Sequence, residues 1–177
     1  MDNHLLNSRN TMSILLCSLL MLGLNAAISG ELTGRVVGVA DGDTVTVLSP
    51  TREQIKVRLA GIDAPELRQP YGSQSKSSLS QLLFAQTVTV QWSKHDQYGR
   101  VIGRILAGGR DASLEQIRTG MAWHYKRYAS EQPPILRSAY ANAELYARRQ
   151  RIGLWSPINP QPPWELRKEK RRAAATH

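Results

Sequence analysis

Alternating polar and apolar residues mark the chain from about residue 31 to residue 109. A period of two is typical of strands that bury one face, so this part of the chain is expected to be mainly β. In the segment 74–86, by contrast, Leu79, Leu82 and Leu83 are spaced as on one face of a helix, which predicts a helix between the third and fourth strands. The alternation itself predicts five strands, at 32–39, 44–49, 56–62, 87–92 and 101–106.

In the remainder of the chain the spacing of apolar residues becomes helical. A short helix is predicted with Asp111 or Ser113 as its N-cap and Gly120 at its end. A longer helix is predicted from Pro134 to Arg151, with proline in its first turn. These elements make the second part of the domain mainly α.

Five strands interrupted by one helix and followed by two more predict an α+β fold. The expected architecture is an OB-fold, a five-stranded Greek-key barrel with about three helices, over residues 30–156. Residues 157–177 begin with a proline-rich run and continue with basic residues, which predicts a flexible tail without regular structure. Such a tail would either add affinity for a phosphate backbone or only keep the chain soluble.

Residues 1–29 have the pattern of an export signal. An apolar run at 12–24 is short for a bilayer span of roughly 20 residues. The small residues Ala27 and Ser29 follow it and predict cleavage after Ser29. The expected location is therefore secreted or periplasmic, and an uncleaved membrane anchor is the alternative.

The charge balance favours an anionic partner. The chain has 23 Lys and Arg residues against 14 Asp and Glu residues, a formal net charge of +9. Nucleic acid is the first candidate, and an anionic membrane or polysaccharide is the second. The single cysteine, Cys17, lies within the apolar run, so the exported chain would have no disulfide, thiol nucleophile or thiolate metal site.

Two acidic clusters are candidates for chemistry. The first is the turn sequence Asp-Gly-Asp-Thr at 41–44, which taken alone is better explained as an ordinary acidic turn. The second begins with Arg58 inside an apolar strand and continues with Asp63 and Glu66 in the turn that follows. Here a plain salt bridge between the arginine and one of the acids is the alternative interpretation.

A third cluster, Tyr98-Gly99-Arg100, precedes the fifth strand. The tyrosine could stack on a base or sugar and the arginine could bind a phosphate, although a solvent-exposed turn would look the same. Taken together, acids from two loops could hold one hard divalent cation. Two arginines could stabilise a phosphoryl group, and a further carboxylate could orient or deprotonate water.

In order and spacing, several motifs resemble the staphylococcal (micrococcal) nuclease family, also called thermonucleases. The resemblance runs from about Gly34 to Trp155. The matching segments are V-A-DGDT-V at 39–45, V-RLAGIDAPE at 57–66, YGR at 98–100, IRTGMA at 117–122 and GLWS at 153–156.

The resemblance implies an OB-fold enzyme that cleaves DNA and RNA with calcium and leaves 3′-phosphate ends. Asp43, Asp63 and the carbonyl oxygen of Ala64 would bind the calcium ion. Asp41 would support the ion through water, and Thr44 would line the site. No stable protein partner is implied, and a monomer is expected.

The same resemblance assigns roles around the phosphate. Glu66 would be the general base or would position the attacking water, and Arg58 and Arg100 would bind the phosphate and stabilise the transition state. Tyr125 and Tyr128, together with Tyr98, are the expected substrate contacts. A lysine that precedes the Tyr-Gly-Arg motif in the family's best-known member is replaced here by a glutamine, so one phosphate contact is expected to be missing.

Two other functions are compatible with part of the pattern. A non-catalytic OB module would bind nucleic acid without needing the acids, and a basic surface protein would bind membrane or polysaccharide. The feature that favours the nuclease is the presence of all five acids and arginines, namely Asp43, Arg58, Asp63, Glu66 and Arg100.

Overall fold

A five-stranded sheet closes into a barrel in the computed structural model of the protein, which describes residues 30–176. The strands are β1 (Gly30–Val39), β2 (Thr44–Leu48), β3 (Gln54–Leu59), β4 (Ile62–Asp63), β5 (Thr87–His95), β6 (Val101–Ala107), β7 (Arg110–Asp111) and β8 (Trp123–His124). The barrel order is β3-β2-β1-β5-β6, and a parallel pairing of β3 with β6 closes the ring. The two-residue strands β4 and β8 pair with each other outside this sheet.

Four α-helices and two short 3₁₀ turns surround the barrel within the described residues. The helices are α1 (Gly72–Leu83), α2 (Ala112–Arg118), α3 (Pro134–Arg149) and α4 (Pro163–Ala175), and the 3₁₀ turns span Lys126–Glu131 and Gly153–Trp155. None of the helices between residues 30 and 176 is long and apolar enough to cross a bilayer.

The predicted OB-type α+β barrel is confirmed, and so are its five strands and the first three helices. The prediction that residues 163–175 lack regular structure is wrong, because they form α4. Proline at the start of a helix costs nothing, since the first backbone N–H groups have no partner within the helix. The predicted signal segment at residues 1–29 lies outside the described residues.

The alternation of polar and apolar residues in the sequence corresponds to an alternation of exposed and buried side chains in the strands. In β6, for example, Val101, Gly103, Ile105 and Ala107 point into the barrel while the residues between them are partly exposed. α1 closes one end of the barrel with Leu79 and Leu83, which are fully buried one helical turn apart. The other members of the core come from all five barrel strands and from α2 and α3, and include Val36, Val45, Val47, Val57, Leu59, Val88, Val90, Ile117 and Tyr140.

Asp111 ties α2, α3 and β6 together. Its carboxylate accepts hydrogen bonds from the backbone N–H groups of Ser113 and Leu114, so it is the N-cap of α2. The same carboxylate accepts the hydroxyl of Tyr140 and an N–H of Arg104. Of the two N-cap candidates, the structure therefore selects Asp111.

Replacing Asp111 with alanine should lower the free energy of unfolding by about 2–4 kcal/mol. The change removes a helix cap and leaves a buried tyrosine hydroxyl without its acceptor. Urea unfolding of the two proteins measures the difference. Tyr140→Phe is the matched control, because it removes one hydrogen bond and leaves the cap, and it should cost about 1 kcal/mol. An equal loss from both variants would contradict the capping role.

Candidate active site

The turn between β1 and β2 holds a buried carboxylate at the mouth of the barrel. Asp43 is 3% exposed. Its carboxylate accepts hydrogen bonds from the hydroxyl of Thr44 at 3.0 Å and from the backbone N–H of Ala64 at 2.9 Å. Asp41 accepts the backbone N–H of Asp43 at 3.0 Å, which fixes the turn from within. The Asp-Gly-Asp-Thr sequence is therefore a turn whose second acid points inward.

Close packing against α1 explains the glycine in this turn. A Cβ atom at Gly42 would lie 1.9 Å from the hydroxyl oxygen of Ser75, so no larger residue fits without a shift. The carbonyl of Gly42 accepts an N–H from the buried side chain of Gln116 at 2.8 Å. The turn is thus held from the helical side as well as from the barrel.

Arg58 joins the two acidic clusters. From the end of β3, its Nη1 donates to Asp43 Oδ1 at 2.5 Å and its Nη2 donates to Asp63 Oδ1 at 2.9 Å. Asp63 lies in β4 and is fully buried. One guanidinium therefore brings two buried carboxylates from different segments to the same point. The salt bridge between Arg58 and an acid, which was the alternative interpretation, is present.

A second arginine contacts the acids from the far end of the chain. In α4, Arg167 donates from Nη2 to Asp63 Oδ2 at 2.5 Å and from Nη1 to Glu66 Oε1 at 2.7 Å. The side chain of Glu66 is 41% exposed, so it lies at the rim of the site, where water has access. The order of contacts is a continuous chain from Asp43 through Arg58, Asp63 and Arg167 to Glu66.

Sequence reasoning missed Arg167. Within α4 the residues Trp164, Arg167, Lys168 and Arg171 have the spacing of one helical face, and this spacing is the signal that could have found it. The proline-rich run before α4 suggested an irregular end to the domain instead. The spacing predicts a basic helical face, but it does not predict the partners of Arg167, because its contact with Glu66 spans about a hundred residues of sequence.

Arg100, the other predicted arginine, has a different partner. It pairs with Asp96 in the turn between β5 and β6, with Nε donating to Asp96 Oδ2 at 2.7 Å. The same carboxylate group accepts the backbone N–H groups of Arg100 and Tyr98. Arg100 directly precedes β6, which lies beside the strand of Arg58. In this structure the ion pairs of the acidic cluster thus include four of the five predicted residues, and Arg100 is paired with Asp96 instead.

The three predicted tyrosines lie in different surroundings. Tyr98 is 74% exposed on the β5–β6 turn and stacks under the guanidinium of Arg100. Tyr125 contacts Tyr128 edge to face, and it also lies against Trp164 of α4 with 5.4 Å between ring centroids. Tyr125 is the only one of the three that borders the concave surface next to Arg167 in the described part of the chain.

Burial controls the electrostatics of the cluster. Desolvation raises the pKa of the Asp43 carboxyl to about 7, although Arg58 and the backbone N–H of Ala64 oppose the shift. Burial alone would lower the pKa of the Arg58 guanidinium, but Asp43 and Asp63 outweigh it and raise that pKa above its usual value. Desolvation also opposes the charge of Arg167, whose pKa is nevertheless raised by its hydrogen bonds to Asp63 and Glu66.

The donor set suits a hard divalent cation better than a transition metal. Asp43 and Asp63 present carboxylate oxygens at one point, where the structure has positive charge from Arg58 and Arg167. Among residues 30–176 no three acidic, histidine or cysteine side chains are close enough to hold a metal by themselves. Calcium and magnesium are bound by oxygen ligands and complete their shells with backbone carbonyls and water, so the two carboxylates are of the chemical class that suits such an ion.

Comparisons with known proteins agree with the fold. The family model described as staphylococcal nuclease homologue matches residues 56–157. A Shigella flexneri protein named micrococcal nuclease is 40% identical over 152 residues, which cover 81% of this chain and 84% of that protein. An uncharacterized endonuclease of Escherichia coli is 39% identical over 142 residues, 79% of this chain and 88% of that protein.

A plant relative is a longer protein, of which this chain covers only a part. The staphylococcal-like nuclease CAN1 of Arabidopsis thaliana is 36% identical over 119 residues, which are 67% of this chain but 35% of that protein. The fold, the acidic cluster and these similarities define the class of protein. The chain belongs to the staphylococcal nuclease family, and this membership places it among the nucleases.

Proposed function

We propose that the chain is a calcium-dependent phosphodiesterase that cleaves DNA and RNA and leaves 3′-phosphate products. The observation that carries the proposal is the single guanidinium of Arg58 that holds two buried carboxylates, Asp43 and Asp63, beside the water-accessible Glu66. Two carboxylates buried at one point are costly unless positive charge compensates them, and carboxylate oxygens are the ligands that calcium prefers. This supports a cation-binding role for the pair.

Asp43, Asp63 and the carbonyl of Ala64 would hold the calcium ion, which supplies positive charge to neutralise the phosphate and its transition state. Thr44 and Asp41 keep Asp43 in place, because the first donates to its carboxylate and the second accepts its backbone N–H. These contacts orient the carboxylate before any ligand arrives. Preorganised groups cost no reorganisation during the reaction.

Arg58 and Arg100 bind the phosphoryl oxygens in the proposed mechanism. A guanidinium has five N–H donors, and the two contacts of Arg58 with carboxylates leave others for a phosphate. Arg100 would exchange Asp96, which is a partly exposed partner, for the more highly charged phosphoryl group. Both arginines remain charged at every working pH.

Glu66 would orient the attacking water and accept its proton. Its carboxylate is at the solvent-accessible rim, while its backbone N–H is fixed by the side chain of Gln69 at 2.9 Å. When the bond between phosphorus and the 5′ oxygen breaks, the leaving 5′ oxygen would take a proton from solvent and become a hydroxyl, and Glu66 would return its own proton to solvent. The phosphate stays on the 3′ oxygen.

Removal of metal should abolish cleavage. The purified protein would be incubated with single-stranded DNA, double-stranded DNA and RNA in calcium, in magnesium or in chelator, and the products separated on a denaturing gel. We expect cleavage with calcium, at least a hundredfold loss in chelator and recovery when calcium is restored. A mobility change after treatment with a 3′-phosphatase would identify the product ends.

The outcomes separate the proposed function from its alternatives. Undiminished activity in chelator would contradict the metal requirement. Binding without cleavage under every condition would favour the non-catalytic nucleic-acid-binding module. We also propose that the protein is exported to the periplasm or beyond and acts as a monomer, and cell fractionation with size-exclusion chromatography tests both statements.

A further inference from the structure

A concave groove of about 470 Å³ lies beside the acidic cluster. One wall is α4, which contributes Trp164, Arg167, Lys168 and Arg171, and the other is formed mainly by residues 123–127. We call this feature the α4 groove. Residues 163–175 lie beyond the segment that matches the family model, so the family resemblance assigns no role to this wall.

The groove is strongly basic. Six of its ten lining residues are lysine or arginine and none is aspartate or glutamate. Three of the cations are already paired, Lys126 and Arg148 with Glu144, and Arg167 with Asp63 and Glu66. Lys168 and Arg171 have no ion pair within residues 30–176, so their charge is available to a ligand. An anionic polymer is therefore the class of ligand that this surface attracts.

Aromatic rings line the same groove. Trp164 lies against Tyr125, with ring centroids 5.4 Å apart and planes inclined by 33°, and contacts Trp123 edge to face at 6.1 Å. These contacts fix α4 against the domain and leave aromatic surface along the groove. Cations interleaved with aromatic rings are typical of surfaces that bind single-stranded nucleic acid, because the rings stack on unpaired bases and the cations contact the backbone.

The groove is continuous with the acidic cluster through Arg167, which lines the groove and also donates to Asp63 and Glu66. A strand with one phosphate at the acids would therefore pass its neighbouring nucleotides along α4. We propose that α4 forms a binding site for the single-stranded segment next to the scissile phosphate, with Lys168 and Arg171 contacting its backbone and Trp164 facing its bases. This inference rests on the proposed function for the position of the phosphate.

The test compares two pairs of substitutions in α4. Lys168→Gln with Arg171→Gln removes two charges from the groove. Lys170→Gln with Arg172→Gln removes the same charge from the same helix, at exposed positions that do not line the groove. Binding of a fluorescent 12-nucleotide single strand to each full-length protein would be measured by anisotropy in chelator, over a range of salt concentrations.

We expect the groove pair to weaken binding at least tenfold at 0.1 M salt. It should also reduce the slope of log K against log salt by about 1.4, because each phosphate contact with a single strand contributes about 0.7. The control pair should stay within about twofold of the wild type in affinity. Circular dichroism melts establish that both variants are folded.

Equal weakening by the two pairs, or no weakening by the groove pair, would overturn the proposal. Displacement of the oligonucleotide by polyglutamate at equal charge concentration would also overturn it, since it would show a site for any polyanion. Failure of the proposed function would be visible separately. In that case the wild-type protein would bind the 12-mer and the groove pair would weaken this binding, but the wild-type protein would not cleave the strand in calcium.

Discussion

Replacing Glu66 with glutamine should lower kcat for DNA cleavage by about 10²–10⁴-fold, the usual contribution of a general base. Glutamine keeps the shape and the polar contacts of the side chain but cannot accept a proton from water. Because Glu66 is at the rim of the site, the melting temperature should change little. Initial rates on a single-stranded oligonucleotide in saturating calcium measure the effect.

The matched control for this variant is Glu53→Gln. Glu53 is exposed on the loop before β3, so its replacement removes the same charge away from the acids. We expect the control to keep the wild-type rate. A Glu66→Gln enzyme that cleaves at a near-normal rate would exclude Glu66 as the base, and the proton would then have to leave by another group.

Replacing Arg100 with alanine should lower kcat/KM by about 10²–10³-fold, the cost of removing one donor to a charged transition state. In the structure Arg100 is paired with Asp96, and the two side chains are 24% and 14% exposed, so the loss of stability should be about 1 kcal/mol, the upper end for ion pairs near the surface. A large kinetic effect with a small stability effect is thus the expected signature. Thermal unfolding and steady-state kinetics on the same preparation provide both numbers.

Arg110→Ala is the control for Arg100. Arg110 is exposed in β7 and carries the same charge on the neighbouring strand. A comparable fall in kcat/KM for both variants would mean that only the overall positive field matters. Full activity of Arg100→Ala would show that its pairing with Asp96 persists in the substrate complex and that Arg58 acts alone on the phosphate.

Arg58 and Arg167 compensate the negative charge of the acidic cluster. Two buried carboxylates next to a third acid would repel one another, and the structure compensates for this with one guanidinium from the barrel and one from α4. The barrel arginine is built into a strand. The arginine of α4 comes from a helix outside the barrel, whose Trp164 lies against Trp123 and Tyr125.

The strands of the barrel could be predicted from the alternation of polar and apolar residues. The period of two in segments such as 101–106 places every second residue inside, and burial in β6 follows it residue by residue. The positions of the acids also followed, since Asp43 and Asp63 lie directly at strand ends, where the chain must turn. That Asp43 faces inward could not be deduced from the turn sequence, because its donors come from β3 and from Ala64.

The barrel strands and the first three helices are predictable from the chain alone, because each depends on the spacing of neighbouring apolar residues, and the acids and arginines are predictable from the order of their motifs. The fold of the whole chain establishes which charges meet. It paired Arg100 with Asp96, ordered α4 as a helix and brought Arg167 to Asp63 and Glu66. The physical reason is that ion pairs across about a hundred residues depend on how the barrel and its helices pack, and no local periodicity contains that information.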